Sequence, residues 1–400
     1  MALVPFLSNC EESKWKSDGQ LPILAWFSIP ESETSLSRYR ELKDAGFTHN
    51  LMYFSNTDEM ERAMDTAQVA GVKMLVWCPE LRSDPEGTVR RFKNHPALAG
   101  YHLQDEPLYS EFPRLSQLAR RIQALDNEHF CYVNLWPGDT FTPYSEHSLF
   151  GHSSYREYVK ACIEQVPLPF ISFDNYPIWT PDSTGIHAIG KGWYSNLSVI
   201  YEECKKAGKP FWAFARTAGA GDPVGGTPSP TLEELRLEVY TALAYGAQGI
   251  QYYVYEDNTN PSFHDMPFDY FKQQKTPTYY MVQELNKEIR NFAKVFLGAT
   301  ALEVKHTGAP YDKYRLEQAP NVFKTFETGE TGATTSLLEK GDRTFFVILN
   351  RDVNERLDVK VEVDASVRQV TKNGTLKTVT GLRTESLKPG DVLIYTWPKQ

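Results

Sequence analysis

A strand–helix alternation that repeats eight times between residues 22 and 257 most constrains the fold of this chain. Short apolar runs of strand length are separated by amphipathic stretches that start at capping residues and stop near glycine. Eight units in about 235 residues match a (β/α)8 TIM barrel, whereas doubly wound sheets rarely need eight. The predicted strands are Pro22–Ile29, Asn50–Phe54, Val72–Cys78, Leu98–Pro107, Phe130–Trp136, Phe170–Tyr176, Pro210–Ala215 and Gly249–Tyr255.

The pattern changes after the eighth strand. A helix is predicted over Thr278–Phe296, and from about Gly332 short alternating runs follow, separated by turn signals such as Asn373-Gly374. This predicts a small antiparallel all-β domain packed against the barrel. We therefore expect an N-terminal tail or signal remnant over residues 1–20, a barrel over 21–300 and a C-terminal β-sandwich over 301–400.

Composition argues against several classes of function. The net charge is −9, and no basic stripe is interleaved with aromatic residues, which argues against a nucleic-acid partner. No run of 18 apolar residues exists, so no membrane span is expected. The five cysteines form no CxxC or Cys/His cluster, and the H-E-x-x-H and EF-hand patterns are absent. We predict no metal and no other cofactor.

The first residues resemble the end of an export signal. The segment LVPFLSNC, followed by Glu11 and Glu12, is similar to the tail of a bacterial lipoprotein signal, in which Cys10 would carry the lipid. Its apolar part is short and lacks a basic start. We expect an exported protein, periplasmic or at the cell surface, with a cytoplasmic location left open. The sequence does not indicate an oligomeric state.

The fourth predicted strand, LAGYHLQDEP, begins apolar and ends in Asp105 and Glu106. In a (β/α)8 barrel the chemistry lies at the carboxyl ends of the strands. Neighbouring side chains of a regular strand point to opposite faces, so the two acids cannot share a pocket if the strand stays regular. Pro107 marks the point where strand pairing stops. An exposed acid pair before a loop is equally compatible with this pattern.

Carboxylates, amides and aromatic rings end most of the other strands, and no G-x-S-x-G elbow occurs. This set fits the cleavage of a glycosidic bond, in which one protonated carboxyl assists the leaving oxygen and a second attacks the anomeric carbon or activates water. Rings can hold sugar faces, and amides can bind hydroxyls. The expected substrate is therefore a carbohydrate. The candidate binding residues are Trp26, Tyr53, Trp77, Gln104, Asp105, Asn134, Trp136, Asn175, Tyr176, Arg216 and Tyr255.

Several segments resemble a known family. The ending Asp105-Glu106-Pro107 resembles the Asn-Glu-Pro ending of the acid/base strand in clan A glycoside hydrolases. FISFDNYP and ALAYGAQGIQYYVYED resemble strand six and the last helix and strand of β-galactosidase-like members. LNKEI resembles their following helix, and ILNRD and LKPGDVLIY resemble their trailing β-sandwich. The resemblance covers most of the chain and implies a retaining glycosidase with Glu106 as acid/base.

Two departures from the family pattern affect the mechanism. Asp105 stands where the family has Asn; adjacent acids can raise each other's pKa, or Asp105 can bind a sugar hydroxyl. The family places its nucleophilic Glu at the end of strand seven, where this chain has Arg216 and no acid before Asp222. Glu256 is the first substitute and Asp174 the second. A separation of about 6.5–9.5 Å between the carboxyls would indicate inversion.

Three functions stay open at this stage. The first is a glycoside hydrolase, favoured because acids and aromatics end several strands at once. The second is a carbohydrate-binding barrel that has lost the strand-seven nucleophile. The third is a lyase or isomerase of sugar acids in which Arg216 holds a substrate carboxylate. An internal salt bridge of Arg216 with Glu106, Asp174 or Glu256 is the competing interpretation. The Gly/Pro-rich loop Thr217–Pro230 lacks GK[ST] and is expected to be a lid.

Overall fold

The computed structural model describes residues 19–138, 154–178, 189–190, 192–221, 226–308, 314–330 and 332–399. Eight parallel strands close into a barrel in which the eighth strand pairs with both the seventh and the first. The predicted (β/α)8 barrel is therefore confirmed. Its strands are β1 Ile23–Trp26, β2 His49–Leu51, β3 Lys73–Val76, β4 Leu98–Asp105, β5 Phe130–Leu135, β6 Ile171–Phe173, β7 Phe211–Arg216 and β8 Gly249–Tyr253.

The helices surround the barrel, and several of them start at a residue whose side chain caps the first turn. The Asn56 side chain accepts the N–H groups of Asp58 and Glu59, and that helix ends at Gly71 with a left-handed backbone. Thr231 and Glu234 form a capping box. The helices are α1 Leu36–Asp44, α2 Thr57–Ala70, α3 Glu80–Ser83, α4 Pro85–Phe92, α5 Phe112–Gln123, α6 Tyr155–Gln165, α7 Trp193–Ala207, α8 Leu232–Ala244 and α9 Pro277–Phe296.

The two faces of the barrel strands pack in two different apolar layers. The inner layer is aromatic: Trp212 stacks on Phe170 at 4.3 Å and lies edge-on to Phe130 at 5.8 Å. The outer layer joins the strands to the helices. On β5, Tyr132 belongs to the inner layer and Val133 to the outer one. This alternation fixes which side chains of each strand reach the interior.

The C-terminal part is an antiparallel sandwich, as predicted. Its strands are β9 Thr300–His306, β10 Phe323–Thr328, β11 Ala333–Lys340, β12 Arg343–Asn350, β13 Leu357–Val363, β14 Arg368–Val370, β15 Leu376–Thr378, β16 Arg383–Leu387 and β17 Val392–Pro398. A six-stranded sheet has the order β9-β11-β12-β17-β14-β15, and a three-stranded sheet has the order β10-β13-β16. The main core continues from the outer helices into the six-stranded sheet through residues such as Phe345 and Ile394.

Two predictions from the sequence fall outside this description. Cys10, the candidate lipid site, and Asp222, the first acid after β7, both lie outside the described residues. Export and lipid attachment therefore stay predictions. Across the helices that the structure describes, none is both long and apolar enough to span a bilayer.

Candidate active site

A β-bulge in β4 decides which acid faces the barrel interior. His102 pairs with Tyr132 and Gln104 with Val133, so Leu103 is an extra residue with no partner on β5. Asp105 then pairs with Asn134, on the inner face. The same shift turns Gln104 outward, where its Oε1 accepts from Arg82 at 3.1 Å and Arg114 at 3.3 Å. Gln104, predicted to bind substrate, therefore lies on the helical side, and we correct that placement.

Glu106 follows with a backbone that no regular strand adopts. Its φ is +42°, in the left-handed region that residues other than glycine rarely occupy. The Glu106 N–H donates to the Asn134 carbonyl at 2.8 Å, and the buried Tyr158 hydroxyl donates to the Pro107 carbonyl at 2.7 Å. The strand thus stops being regular after Asp105, and the alternation that separates adjacent side chains no longer applies to this pair. Backbone strain of this kind is concentrated at functional sites.

Asn134 joins two carboxylates from neighbouring strands. Its Nδ2 donates to Asp105 Oδ1 at 3.2 Å and to Asp174 Oδ1 at 2.8 Å, which keeps these oxygens within about 6 Å of each other. Ser172 donates to Asn134 Oδ1 at 2.9 Å and so fixes the amide orientation. Ser172 in turn contacts Gln251 at 2.8 Å. Asn134 therefore positions the acids, and both of its N–H groups are already used.

Asp105, Glu106 and Asp174 form what we call the acid cluster. Burial, with the negative charges of Asp174 and Asp105, raises the pKa of Glu106 to about 9. Burial also raises the pKa of Asp105, to about 6, against the lowering effect of the hydrogen bond from Asn134. Near pH 7, Glu106 is therefore protonated and Asp105 is ionised. One cluster thus holds a proton donor beside a charged carboxylate.

Aromatic rings form a second wall at the mouth of the barrel. Tyr53 lies edge-on to Trp77 at 5.6 Å, and Trp77 stacks on Phe27 at 5.9 Å. Phe27 contacts Tyr253 at 6.2 Å, and Tyr253 stacks on Tyr176 at 6.0 Å. We call these five residues the aromatic wall. Tyr53 is 46% exposed, whereas Tyr176 is buried, so the wall runs from solvent towards the interior.

Tyr253 is a site residue that the sequence reasoning did not select. It ends β8 on the inner face, and the charges of Asp105, Asp174 and Glu106 all contribute to raising its pKa, after burial and Asp257. The phenol therefore keeps its proton and can act as a hydrogen-bond donor beside the acids. Its position at a strand end was the available signal, but Tyr252 and Tyr255 next to it obscured which ring faces inward.

Arg216 is held by loop carbonyls and not by the salt bridge that the sequence offered as one interpretation. Its guanidinium donates to the carbonyls of Ile178 at 3.1 Å, Pro228 at 2.8 Å and Ala218. It is buried, and its backbone N–H donates to Glu238 at 2.8 Å. Arg216 therefore ties the loop after β6 to the loop after β7. Its Nε has no hydrogen-bond partner among the described residues, so binding of a substrate carboxylate stays a prediction. The guanidinium forms no salt bridge with the acid cluster.

Glu256, the first candidate for the second catalytic carboxyl, lies outside the acid cluster. It is fully buried and ion-paired with Arg38 of α1, which covers the Phe268 ring at 3.2 Å. Burial raises the pKa of Glu256 to about 8 despite Arg38. Tyr255 also points to α1, where its hydroxyl donates to Glu41 at 3.1 Å. We therefore correct the placement of Glu256 and Tyr255 at the mouth.

The remaining candidates lie at different depths. Trp26 is 2% exposed and packs against His102 and Phe214 in the inner layer, so it forms the floor beneath the site and we correct its place among the substrate contacts. Trp136 is half-buried at the end of β5. Asn175 is buried, and neither atom of its side-chain amide has a hydrogen-bond partner among the described residues. Asn175 thus retains the capacity to bind a hydroxyl that Asn134 lacks.

Among the described residues, no group of three or more His, Cys, Asp or Glu side chains has the arrangement of a metal site. The acid cluster is held together by an amide hydrogen-bond donor. The chemistry that the arrangement offers is proton transfer from Glu106 together with electrostatic or nucleophilic help from an ionised carboxylate.

Part of the chain matches a known family model, and its fold matches solved structures. Residues 157–292 match the family model Glyco_hydro_42, described as Beta-galactosidase. Among curated proteins, none matches the sequence. The β-galactosidase from Bacillus circulans sp. alkalophilus superposes with a TM-score of 0.60 at 9% identity, over 95% of this chain and 99% of that chain.

Two further β-galactosidase structures are similar. A catalytic mutant of Gan42B, a GH42 β-galactosidase from G. stearothermophilus, matches with a TM-score of 0.58 at 7% identity, over 95% of this chain and 98% of that one. The chain spans 60% of the β-galactosidase from the psychrophilic Marinomonas ef1, which covers 68% of it with a TM-score of 0.49 and 10% identity. At such identities the likeness shows the fold. The resemblance to a β-galactosidase-like barrel with a trailing sandwich is confirmed.

Proposed function

We propose that this chain, a glycoside hydrolase by its family match and its barrel, cleaves an O-glycosidic bond with Glu106 as general acid. The observation that carries the proposal is the acid cluster at the carboxyl ends of β4 and β6. There Glu106 has a pKa of about 9, beside Asp105 with a pKa of about 6. Glycosidases need this division between a protonated and an ionised carboxyl.

The ionised partner comes from the pair that Asn134 bridges. Asp174 accepts the shorter hydrogen bond from Asn134, and after burial its charge contributes most to raising the pKa of Glu106. Asp105 is adjacent to the acid in sequence. Either carboxylate can support positive charge that develops at the anomeric carbon, because both lie in a half-buried site where charges interact more strongly than in water.

The aromatic wall supports a carbohydrate substrate. Its rings offer flat apolar faces. Four of them lie on the side of the mouth formed by β1, β2, β3 and β8, and Tyr176 follows β6, while the ends of β4 and β6 supply the acids. Apolar ring faces suit the C–H faces of pyranoses. Since the matching family and the two structures that cover most of this chain are described as β-galactosidases, β-galactosides are the first substrates to test.

The first experiment compares the wild type with Glu106→Gln on 4-nitrophenyl glycosides and oligosaccharides. We expect hydrolysis by the wild type and a loss on the order of 10²- to 10⁴-fold in kcat for the variant, because general acid catalysis contributes that much. Glu164→Gln removes an exposed carboxyl of α6 and serves as the matched control. Undiminished activity of a folded Glu106→Gln protein would overturn the assignment.

One observation favours a second function, a carbohydrate-binding barrel without catalysis. The inner end of β7 presents Arg216 tied to loop carbonyls, and no carboxylate stands among its described residues up to Gly221. Calorimetric titration of unhydrolysed oligosaccharides distinguishes the two functions. Saturable binding with no turnover on any glycoside would establish the binding barrel in place of the hydrolase.

A further inference from the structure

The described carboxylates of the site lie on one side of the barrel mouth. The acid cluster comes from β4 and β6. On the opposite side, Glu256 is paired with Arg38. Asp257 is buried, and its Oδ1 accepts the backbone N–H and the hydroxyl of Thr259, both at 2.6 Å. Both carboxylates at the end of β8, on the side that faces the acid cluster, are therefore already engaged within the protein.

A protonated acid and an ionised acid stand next to each other in the sequence. The bulge at Leu103 turns Asp105 inward, and the left-handed backbone at Glu106 releases that residue from strand alternation. The two groups can therefore reach two adjacent positions of one sugar ring. Glu106 can protonate the leaving oxygen at C1 while Asp105 accepts a hydrogen bond from a donor on C2.

We infer that the substrate is a 2-acetamido sugar that supplies its own nucleophile. This inference rests on the proposed function, and it assigns the ionised role to Asp105. The acetamide carbonyl oxygen attacks C1 and forms a bond there, while the bond from C1 to the leaving oxygen breaks and Glu106 transfers its proton to that oxygen. The product of this step is an oxazolinium ring whose N–H is held by the Asp105 carboxylate.

The second step restores the enzyme. Water attacks C1 and gives its proton to the Glu106 carboxylate, while the bond from C1 to the acetamide oxygen breaks and the acetamide re-forms. The hemiacetal product keeps its configuration, because C1 is attacked twice from opposite faces. No oxidant, reductant or metal is needed. Substrate participation of this kind replaces an enzyme nucleophile in some glycosidases.

The surroundings suit an acetamide group. Asn134 donates to Oδ1 of Asp105, and the remaining lone pairs of this carboxylate can accept the amide N–H. The Tyr253 phenol stays protonated near the acids and can donate to the acetamide oxygen. Tyr253 and Tyr176 stack at 6.0 Å and offer apolar surface for the methyl group. Asp174 sustains the protonation of Glu106 through its charge.

The test compares 4-nitrophenyl 2-acetamido-2-deoxy-β-D-galactoside and β-D-glucoside with the parent 2-hydroxy glycosides. We expect the acetamido substrates to be cleaved at least 100-fold faster. Replacing acetamide by mono-, di- and trifluoroacetamide should lower kcat progressively, because fluorine withdraws electrons from the attacking oxygen. The corresponding thiazoline, a stable mimic of the ring intermediate, should inhibit competitively.

Asp105→Asn is the decisive variant, since it restores the Asn-Glu pattern of the family and keeps the side-chain shape. We expect a kcat loss on the order of 10²-fold or more on acetamido substrates with unchanged thermal unfolding. Asp174→Asn should shift the alkaline limb of the pH–rate profile to lower pH, because the charge that helps to keep Glu106 protonated is removed. The decrease of kcat along the fluoroacetamide series should be preserved.

Three outcomes would contradict the inference. Glu106-dependent cleavage of 2-hydroxy glycosides at an equal or higher rate would overturn the inference and leave the proposed hydrolase intact. A rate insensitive to fluorine would do the same. Absence of hydrolysis on both substrate series would overturn the hydrolase itself.

Discussion

Replacement of Asn134 by Ala tests how the acid cluster is maintained. The change removes the N–H groups that donate to Asp105 at 3.2 Å and Asp174 at 2.8 Å. A hydrogen bond to a charged group contributes roughly 1.5–3 kcal/mol, and one pKa unit corresponds to about 1.4 kcal/mol. We therefore expect the pKa of Asp105, about 6 in the wild type, to rise by about one to two units.

The sign of the effect on stability follows from linkage. When folding raises the pKa of a carboxyl, the folded protein has its full stability below the unfolded pKa, which is near 4. The free energy of unfolding then decreases as pH rises from that value to the folded pKa. In the wild type this loss is complete above about pH 6. In Asn134→Ala it continues to about pH 7–8. The added destabilisation is therefore small at pH 5 and about 1.5–3 kcal/mol at pH 8.5.

Two assays measure this effect, namely denaturant unfolding at pH 5 and pH 8.5 and the acid limb of the pH–rate profile. The acid limb should move upward by about one to two pH units in Asn134→Ala. Ser172→Ala is the matched control, because it removes the donor to Asn134 Oδ1 without touching the acids, and its cost should not vary with pH. If Asn134→Ala costs the same at both pH values and leaves the acid limb in place, Asn134 does not stabilise ionised carboxylates.

Three further predictions concern groups around the site. Arg38→Met leaves Glu256 buried without its cation and should lower the free energy of unfolding by about 3–5 kcal/mol, measured by thermal unfolding. Adding Glu256→Gln should recover most of this loss. Inactivity of a well-folded Glu256→Gln protein would contradict a structural role for Glu256. Arg216→Met should lower kcat/KM about 10-fold, because the loops after β6 and β7 lose the guanidinium that donates to both, and active-site geometry is sensitive to small displacements. An unchanged kcat/KM would refute this role of Arg216. Tyr53→Ala should raise KM for a trisaccharide about 5-fold without changing kcat on aryl monosaccharides. The reason is that the Tyr53 ring lies at the solvent end of the aromatic wall, where a sugar distant from the cleaved bond would bind. Equal effects on both substrates would argue against such a distal subsite.

Much of the fold could be predicted because buried parallel strands leave a simple trace. Each barrel strand is a short apolar run, and all eight predicted segments contain the whole observed strand or all of it but one terminal residue. A barrel strand is buried on both faces, so its residues are apolar whichever face each one occupies. The strand can therefore be recognised without knowing its register. Prediction was weaker in the sandwich, where Thr300–His306 and Arg383–Leu387 have alternating polar faces and were not singled out.

The candidate site was predictable only in part, because side-chain direction depends on local irregularities. Position in the sequence identified Asp105 and Glu106 at a strand end, but their convergence depends on a bulge and a left-handed residue that composition does not reveal. The same limit affected Glu256: a strand-end acid at β8 points outward to Arg38 once the strand has ended. Arg38 lies 218 residues earlier in the chain, so no local pattern could indicate the pair.

The extra residue in β4 also sets a limit on how this barrel can tolerate change. Leu103 adds one residue of contour length to β4 relative to β5, and this reverses the phase of every side chain that follows. Were β4 regular, Leu103 would pair with Val133 and Gln104 with Asn134, which would place an amide inside and the Asp105 carboxylate among the helices. The acid cluster thus depends on the point at which β4 departs from regular pairing. A substitution that removed the bulge would displace Asp105 without changing any residue of the site.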